Sequence, residues 1–217
     1  MEDRSAEKAR EFDTLAGEVF APVYPVIAAR LLELAEKRRG CCLDLGCGGG
    51  HLGFAAAAMG FEGKIILLDS NPWALELADT RIPQNDRDRI RTLCADVRAM
   101  PIPSESVDLI ISRGSLWFWD KQESLTEIWR VLAPAGTAII GGGYGSSALK
   151  KEIYRKMTER NGVDYAEQRR KKTAGFTPDD YKRELDEMGI PGRVIHEGSG
   201  DWLLFRKSPR PPPAACP

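Results

Sequence analysis

Little in this chain points to a charged polymer or a bilayer as its partner. Lys and Arg total 31 against 32 Asp and Glu, a formal charge of -1, so there is no global basic field to recruit nucleic acid or an anionic lipid surface. Long apolar runs are missing too. The longest uncharged stretches, Leu45 to Phe61 and Val131 to Leu149, are each broken by several glycines, and the second also by Pro134, which argues against a membrane-spanning helix. Histidine is scarce, with only His51 and His196, and the 5 cysteines include no CxxC pair, so neither a metal site nor a disulfide framework is expected. Cys41, Cys42, Cys47 and Cys94 sit in or beside apolar segments and read as small buried hydrophobes; Cys216 lies in the tail. Reduced thiols, and a charged start "MEDRSAEKAREFD" without the apolar core of a secretory signal, make the cytoplasm the expected compartment.

What is present suits one domain with a sizeable core in 217 residues. Residues 2–16 and 23–37 read as helices, with Ile27, Leu31, Leu34 and Ala35 at helical spacing and Pro22 and Pro25 at a kinked join. From Gly40 the pattern changes to short apolar runs separated by helical segments: "CCLDL", "KIILLD", "IRTLCAD", "VDLIIS" and "TAIIGG". Buried parallel strands read as continuous apolar runs of this kind, and their alternation with helices is that of a doubly wound α/β sheet. Asn71 or Ser70 with Pro72, and Thr177 with Pro178, have the chemistry of helix starts. Residues 146–172 are polar and helical in character, and "GRVIHEG" and "DWLLFRK" close the chain as two strands before a Pro-rich tail, 208–217, expected to be extended and disordered.

The stretch "LDLGCGGGHLG" carries the chemistry. Glycine permits positive φ and close approach of a ligand to the backbone, and the helix that follows offers unpaired N–H groups at its positive end. In an open α/β sheet this turn, after the first strand, is where ligands bind, and Asp69 at the end of the second strand can accept from ribose hydroxyls. Gly48, Gly50 and Gly53 satisfy G-x-G-x-x-G, which would suit NAD or FAD. Asp44 argues otherwise: a pyrophosphate would sit close to that carboxylate, whereas a cationic sulfonium compound would gain from it.

With "LDLGCGGG", "LLDSNPWALELA", "ADVRAMPIPSESVDLIIS" and "RVLAPAGTAII" in this order, the chain resembles a class I S-adenosylmethionine-dependent methyltransferase of the ubiquinone/menaquinone-type (type 11) group. The resemblance covers roughly residues 40–145 and implies a Rossmann-like, doubly wound seven-stranded sheet of order 3-2-1-4-5-7-6, its last strand antiparallel. It implies N-terminal lid helices over 1–39, a catalytic domain over 40–207 and a helical cap over 146–176. It places Gly46, Gly48 and Gly50 under the cofactor, Asp44 near its amino-acid portion, Asp69 and Ser70 at the ribose, and Asp96 and Val97 at the adenine. Ser112 and Arg113 would border the methionine moiety and the methyl, with S-adenosylhomocysteine as product. An NAD-dependent oxidoreductase, or a cofactor-binding protein without transferase activity, are the competing readings.

For the acceptor, the sequence offers "SRGSLWFWD" after the fourth strand and "GGGYG" after the fifth. Phe12, Tyr24, Trp117 and Tyr144 are candidate substrate contacts, with Arg113 receiving an anionic group. The basic run through "RRKK" reads first as a solvated helix face and second as a lure for an acidic substrate. There is no Asn/Asp-Pro-Pro-Tyr motif for base or glutamine methylation. Neither His51 nor His196 is placed as a convincing base, so the expectation is proximity catalysis on a small molecule by a monomer or homodimer, without metal.

Overall fold

The computed structural model describes residues 4–198 and 200–210. Two helices come first, α1 (Arg4–Glu18) and α2 (Val23–Ala35), bent by 83° at the linker between them. The predicted ends, 2–16 and 23–37, shift slightly; residues 2 and 3 lie outside the described part. Helix α2 stops early because Glu36 turns left-handed (φ 55°) and returns its N–H to the carbonyls of Leu32 and Glu33. The alternating part follows: β1 (Cys41–Leu45), α3 (His51–Ala58), β2 (Lys64–Asp69), α4 (Pro72–Arg81), β3 (Ile90–Cys94), β4 (Val107–Arg113), α5 (Lys121–Val131) and β5 (Leu132–Gly143). Then come α6 (Ser147–Asn161), α7 (Tyr165–Thr173), α8 (Pro178–Glu187), β6 (Gly192–Glu197) and β7 (Gly200–Arg206).

The strands form one 7-stranded sheet of order β3-β2-β1-β4-β5-β7-β6, as the motifs implied. Strand β7 pairs antiparallel with β5 and with β6, and β1 to β5 pair in parallel. Because β1 has β2 on one side and β4 on the other, the chain changes winding direction there and leaves a crevice at the strand ends. Alternation along the strands fills two cores. Ile65 and Leu67 face the layer holding Ile27, Leu31 and Leu52, whereas Ile66 and Leu68 face Leu125, Ile128 and Tyr181.

Helix α2 is part of that first layer. Val23, Ile27, Ala28, Leu31, Leu32 and Ala35 are all buried, and each fully buried aliphatic of the larger kind contributes about 1.5–3 kcal/mol, which fastens α2 to the sheet layer. Local chemistry sets other boundaries: Asn71 accepts from the Trp73 N–H with Pro72 at the first position of α4, and Thr177 and Asp180 cap α8 reciprocally.

The structure differs from the sequence reading in particulars. Strand β5 begins at Leu132 rather than Thr137 because Leu132 pairs with Val107 across a register shift. The cap is two helices, divided where Gly162 goes left-handed (φ 68°) and Asp164 caps the next helix. Of the four described cysteines only Cys42 is fully buried; Cys41 and Cys47 are half-buried and Cys94 is exposed, since β3 is an edge strand. The tail starts anchored, Arg210 donating to Glu105 at 2.7 Å, and residues 211–217, Cys216 among them, lie outside the described part. Among the described residues, no single helix is long and apolar enough to cross a membrane, and no group of three or more His, Cys, Asp or Glu could hold a metal ion.

Candidate active site

At the end of β1 the chain must turn sharply to start α3, and Gly46, Gly48 and Gly50 take φ of 64°, 54° and 81° to do so. Gly46 also has no room for a side chain: a Cβ there would lie 2.7 Å from the Ser115 side chain. Two carboxylates hold the turn. Asp44 Oδ2 accepts from the Gly53 N–H at 2.8 Å, in the first turn of α3, and Asp69 Oδ2 accepts from the Gly48 N–H at 2.9 Å. Asp69 Oδ1 accepts from Asn71 N at 2.9 Å, which locks the entry to α4. The motif acids thus build the crevice as well as line it.

Asp44 is only 1 % exposed, and burial, with the negative charge of Asp69 adding to it, pushes its carboxyl up to about 7 against the opposing Gly53 hydrogen bond. Such an acid is receptive to a cation and hostile to a phosphate. The donor set at this turn therefore fits the sulfonium and ammonium groups of S-adenosylmethionine, and the cradle at Gly46 fits a ligand pressed against bare backbone.

A cavity of about 880 Å³ opens over the turn. It gathers Asp44, Gly46, Gly48, Asp69, Ser70, Asp96, Val97, Arg113, Phe12, Tyr24, Trp117 and Tyr144, which are most of the residues expected from the sequence. Gly50 and Ser112 do not line it. Gly50 is the N-cap of α3, where a Cβ would meet the Phe54 ring at 2.7 Å. Ser112 is fully buried and hydrogen-bonds the Leu45 carbonyl and the Ser115 hydroxyl, both at 2.7 Å. Neighbouring residues of a strand point to opposite faces, so Ser112 and Arg113 cannot both turn to the cavity.

Arg113 leaves the end of β4 with its Nε donating to the Gly143 carbonyl at 2.9 Å. Its guanidinium carbon sits 5.0, 5.3 and 5.8 Å from the ring centroids of Phe20, Tyr24 and Tyr144. Asp96 is already paired, both oxygens accepting from the Arg98 guanidinium at 3.0 and 2.8 Å, which holds its carboxyl below the usual range. The three aromatics after β4 diverge: Trp119 is buried, Trp117 walls the cavity and Phe118 is 66 % exposed at its rim.

Sequence reasoning missed what fastens α1. Asp13 accepts from Arg81 Nη1 at 2.8 Å, pairs with Arg81 Nη2, and lies 3.0 Å from His51 Nε2; Tyr24 stacks on that imidazole at 5.2 Å. Burial would raise the Asp13 carboxyl, but the hydrogen bonds from Arg81 and His51 outweigh it and hold it low. Burial lowers the His51 imidazole, against the pull of Asp13. His51 is thus a strut between helices rather than an available base. These partners are 38 and 68 residues apart, and no local pattern announces them. Because α1 covers the cavity, Asp13→Ala is expected to weaken S-adenosylhomocysteine binding by about 1 kcal/mol, roughly fivefold, through a looser lid. Calorimetric titration measures this, and unaltered affinity would remove α1 from the binding account.

Comparison with known proteins agrees with this geometry. The family model described as "Methyltransferase domain" matches residues 37–189. A solved structure from Methanococcus maripaludis, described as an S-adenosyl-L-methionine-dependent methyltransferase, is 32 % identical with a TM-score of 0.88 and covers 97 % of each chain. Malonyl-[acyl-carrier protein] O-methyltransferase of Methylovorus sp. (strain MP688) is 32 % identical over 60 % of this chain and 48 % of its own length. Demethylmenaquinone methyltransferase of Thermus thermophilus is 32 % identical over 50 % of this chain and 48 % of its own. The chain spans about half the length of the curated relatives it matches. On the sheet order, the acidic glycine turn and these matches together, the chain belongs to the methyltransferase domain family, the S-adenosylmethionine-dependent methyltransferases of Rossmann-like fold.

Proposed function

We propose that this chain methylates a small molecule at the expense of S-adenosylmethionine, mainly by aligning and desolvating the reactants. The observation that supports a small acceptor is the cavity: cofactor and acceptor would share its volume of about 880 Å³, and α1 and α7 contribute to its walls. A macromolecular acceptor would need an open approach past those helices.

Gly46, Gly48 and Asp44 would hold the amino-acid portion of the cofactor, with Gly50 shaping the turn from behind. Asp69 and Ser70 would take the ribose, and Asp96, sharing its lone pairs with Arg98, the adenine amine beside the Val97 N–H. When bound, the cofactor supplies a methyl on a cationic sulfur that is already a good leaving group. What the chain adds is position and dryness: Phe20, Tyr24, Trp117 and Tyr144 exclude water, and Arg113 orients the acceptor. The occupied state of His51 supports catalysis without a dedicated base.

Incubating the chain with a small-molecule extract and methyl-labelled cofactor tests the reading, together with titrations of S-adenosylhomocysteine and NADH. Transfer of label into a low-molecular-weight product, with homocysteine-cofactor binding and no NADH binding, is expected. Tight NADH binding in its place would favour the oxidoreductase reading, and cofactor binding with no labelled product from any fraction would favour a binding protein.

A further inference from the structure

The basic run at the end of α7 splits in two. Tyr165, Gln168, Arg169 and Lys172 fall at i, i+3, i+4 and i+7, share one helix face, and all line the cavity. Lys171, between them, turns away and pairs with Glu167 at 2.8 Å. The same cavity is lined by a third cation, Arg113, at the end of β4.

None of the three has a carboxylate partner among the described residues. They rest on aromatic faces. The Arg169 guanidinium lies 4.3 Å from the Trp117 ring centroid, and Lys172 Nζ lies 5.2 Å from Trp117, 5.7 Å from Phe118 and 5.9 Å from Phe12. The cavity's acids are engaged elsewhere: Asp13 with Arg81 and His51, Asp44 and Asp69 with backbone N–H groups, Asp96 with Arg98, Asp120 as the cap of α5. Desolvation and the repulsion of Arg169 push the Lys172 ammonium downward, a cost that an anion between the two would remove. Among the described residues, the buried Trp117 Nε1 has no hydrogen-bond partner.

We propose that the methyl acceptor bears an anionic group, a carboxylate or a phosphate, held by Arg113, Arg169 and Lys172, with a flat apolar body against Trp117 and Phe118. Its role as acceptor rests on the methyl-transfer reading above; the anion site itself does not.

Calorimetry of the full chain, saturated with S-adenosylhomocysteine, tests this with naphthalene-2-carboxylate, 2-naphthyl phosphate and the uncharged naphthalene-2-carboxamide. At least one anion is expected to bind roughly tenfold or more tighter than the amide, the scale of charge-assisted hydrogen bonds, and the carboxylate and phosphate arms tell which is preferred. Arg169→Gln and Lys172→Gln should each remove most of that preference while S-adenosylhomocysteine affinity stays within about twofold, as expected for groups off the cofactor. Anions binding no tighter than the amide, binding of none included, overturn the proposal, as does full anion preference in the double variant. If S-adenosylhomocysteine itself does not bind, the methyl-transfer reading fails, and the same probes titrated without it still decide the anion site.

Discussion

Asp44→Asn is expected to stabilise the ligand-free chain above neutral pH and to cripple cofactor binding. In the fold the Asp44 carboxyl is held up at about 7, against an ordinary 3.8, chiefly by burial. The folded chain therefore keeps a proton that the unfolded chain has already lost, and stability falls as pH rises from the ordinary value to the folded one. Integrated over that interval, the loss reaches about 4 kcal/mol and is complete above about pH 7. An asparagine carries no charge to bury, and its side-chain oxygen can still accept from the Gly53 N–H, so the variant escapes the loss.

Urea unfolding at about pH 5 and about pH 8 should show the variant's advantage growing toward the higher value. A difference between variant and parent that does not move with pH would contradict the buried, titrating acid. Binding should run the other way. In the parent, affinity for the cationic cofactor should rise toward neutrality by up to about tenfold per pH unit as Asp44 ionises, and the variant should lose that dependence and at least roughly tenfold in affinity. On the proposed reading, this destabilised group is held ready for a positive ligand.

Asp69→Ala is the second large effect. The carboxylate accepts from the Gly48 and Asn71 N–H groups at 2.9 Å each, so it shapes the glycine turn and the start of α4, beside the role proposed for it at the ribose. Removing it leaves two backbone donors without their acceptor and the sugar without its partner. A loss of about 2–4 kcal/mol in S-adenosylhomocysteine affinity is expected, roughly 30-fold to 1000-fold. Asp69→Asn should lie between the two, since its oxygen can replace one acceptance. Equal affinity in Asp69→Ala and the parent would take the acid out of the site.

How far the sequence carried the reading depends on the range of each interaction. The glycine turn, the acids at the ends of β1 and β2 and the caps at Asn71 and Thr177 could be read because each is a local pattern with a local cause, whereas the strand order came from the family resemblance. The misplacements were equally physical. Gly50 and Ser112 carry the right chemistry in the right motifs, but the side of the strand and the entry geometry of α3 turn them from the cavity. Arg169 and Lys172 read as a solvated run because sequence alone does not say which side of α7 faces inward; their i+4 and i+7 spacing from Tyr165 was the available signal. Asp13, His51 and Arg81 had none.

By itself the sequence determined the alternating sheet, the acidic glycine turn and the preference for a cationic cofactor, since backbone conformation and charge type are properties of neighbouring residues. Only the tertiary structure decided which charges stay engaged and which are left for a ligand. That outcome depends on burial and on contacts across 38 to 68 residues of chain, where desolvation rather than composition sets the energy.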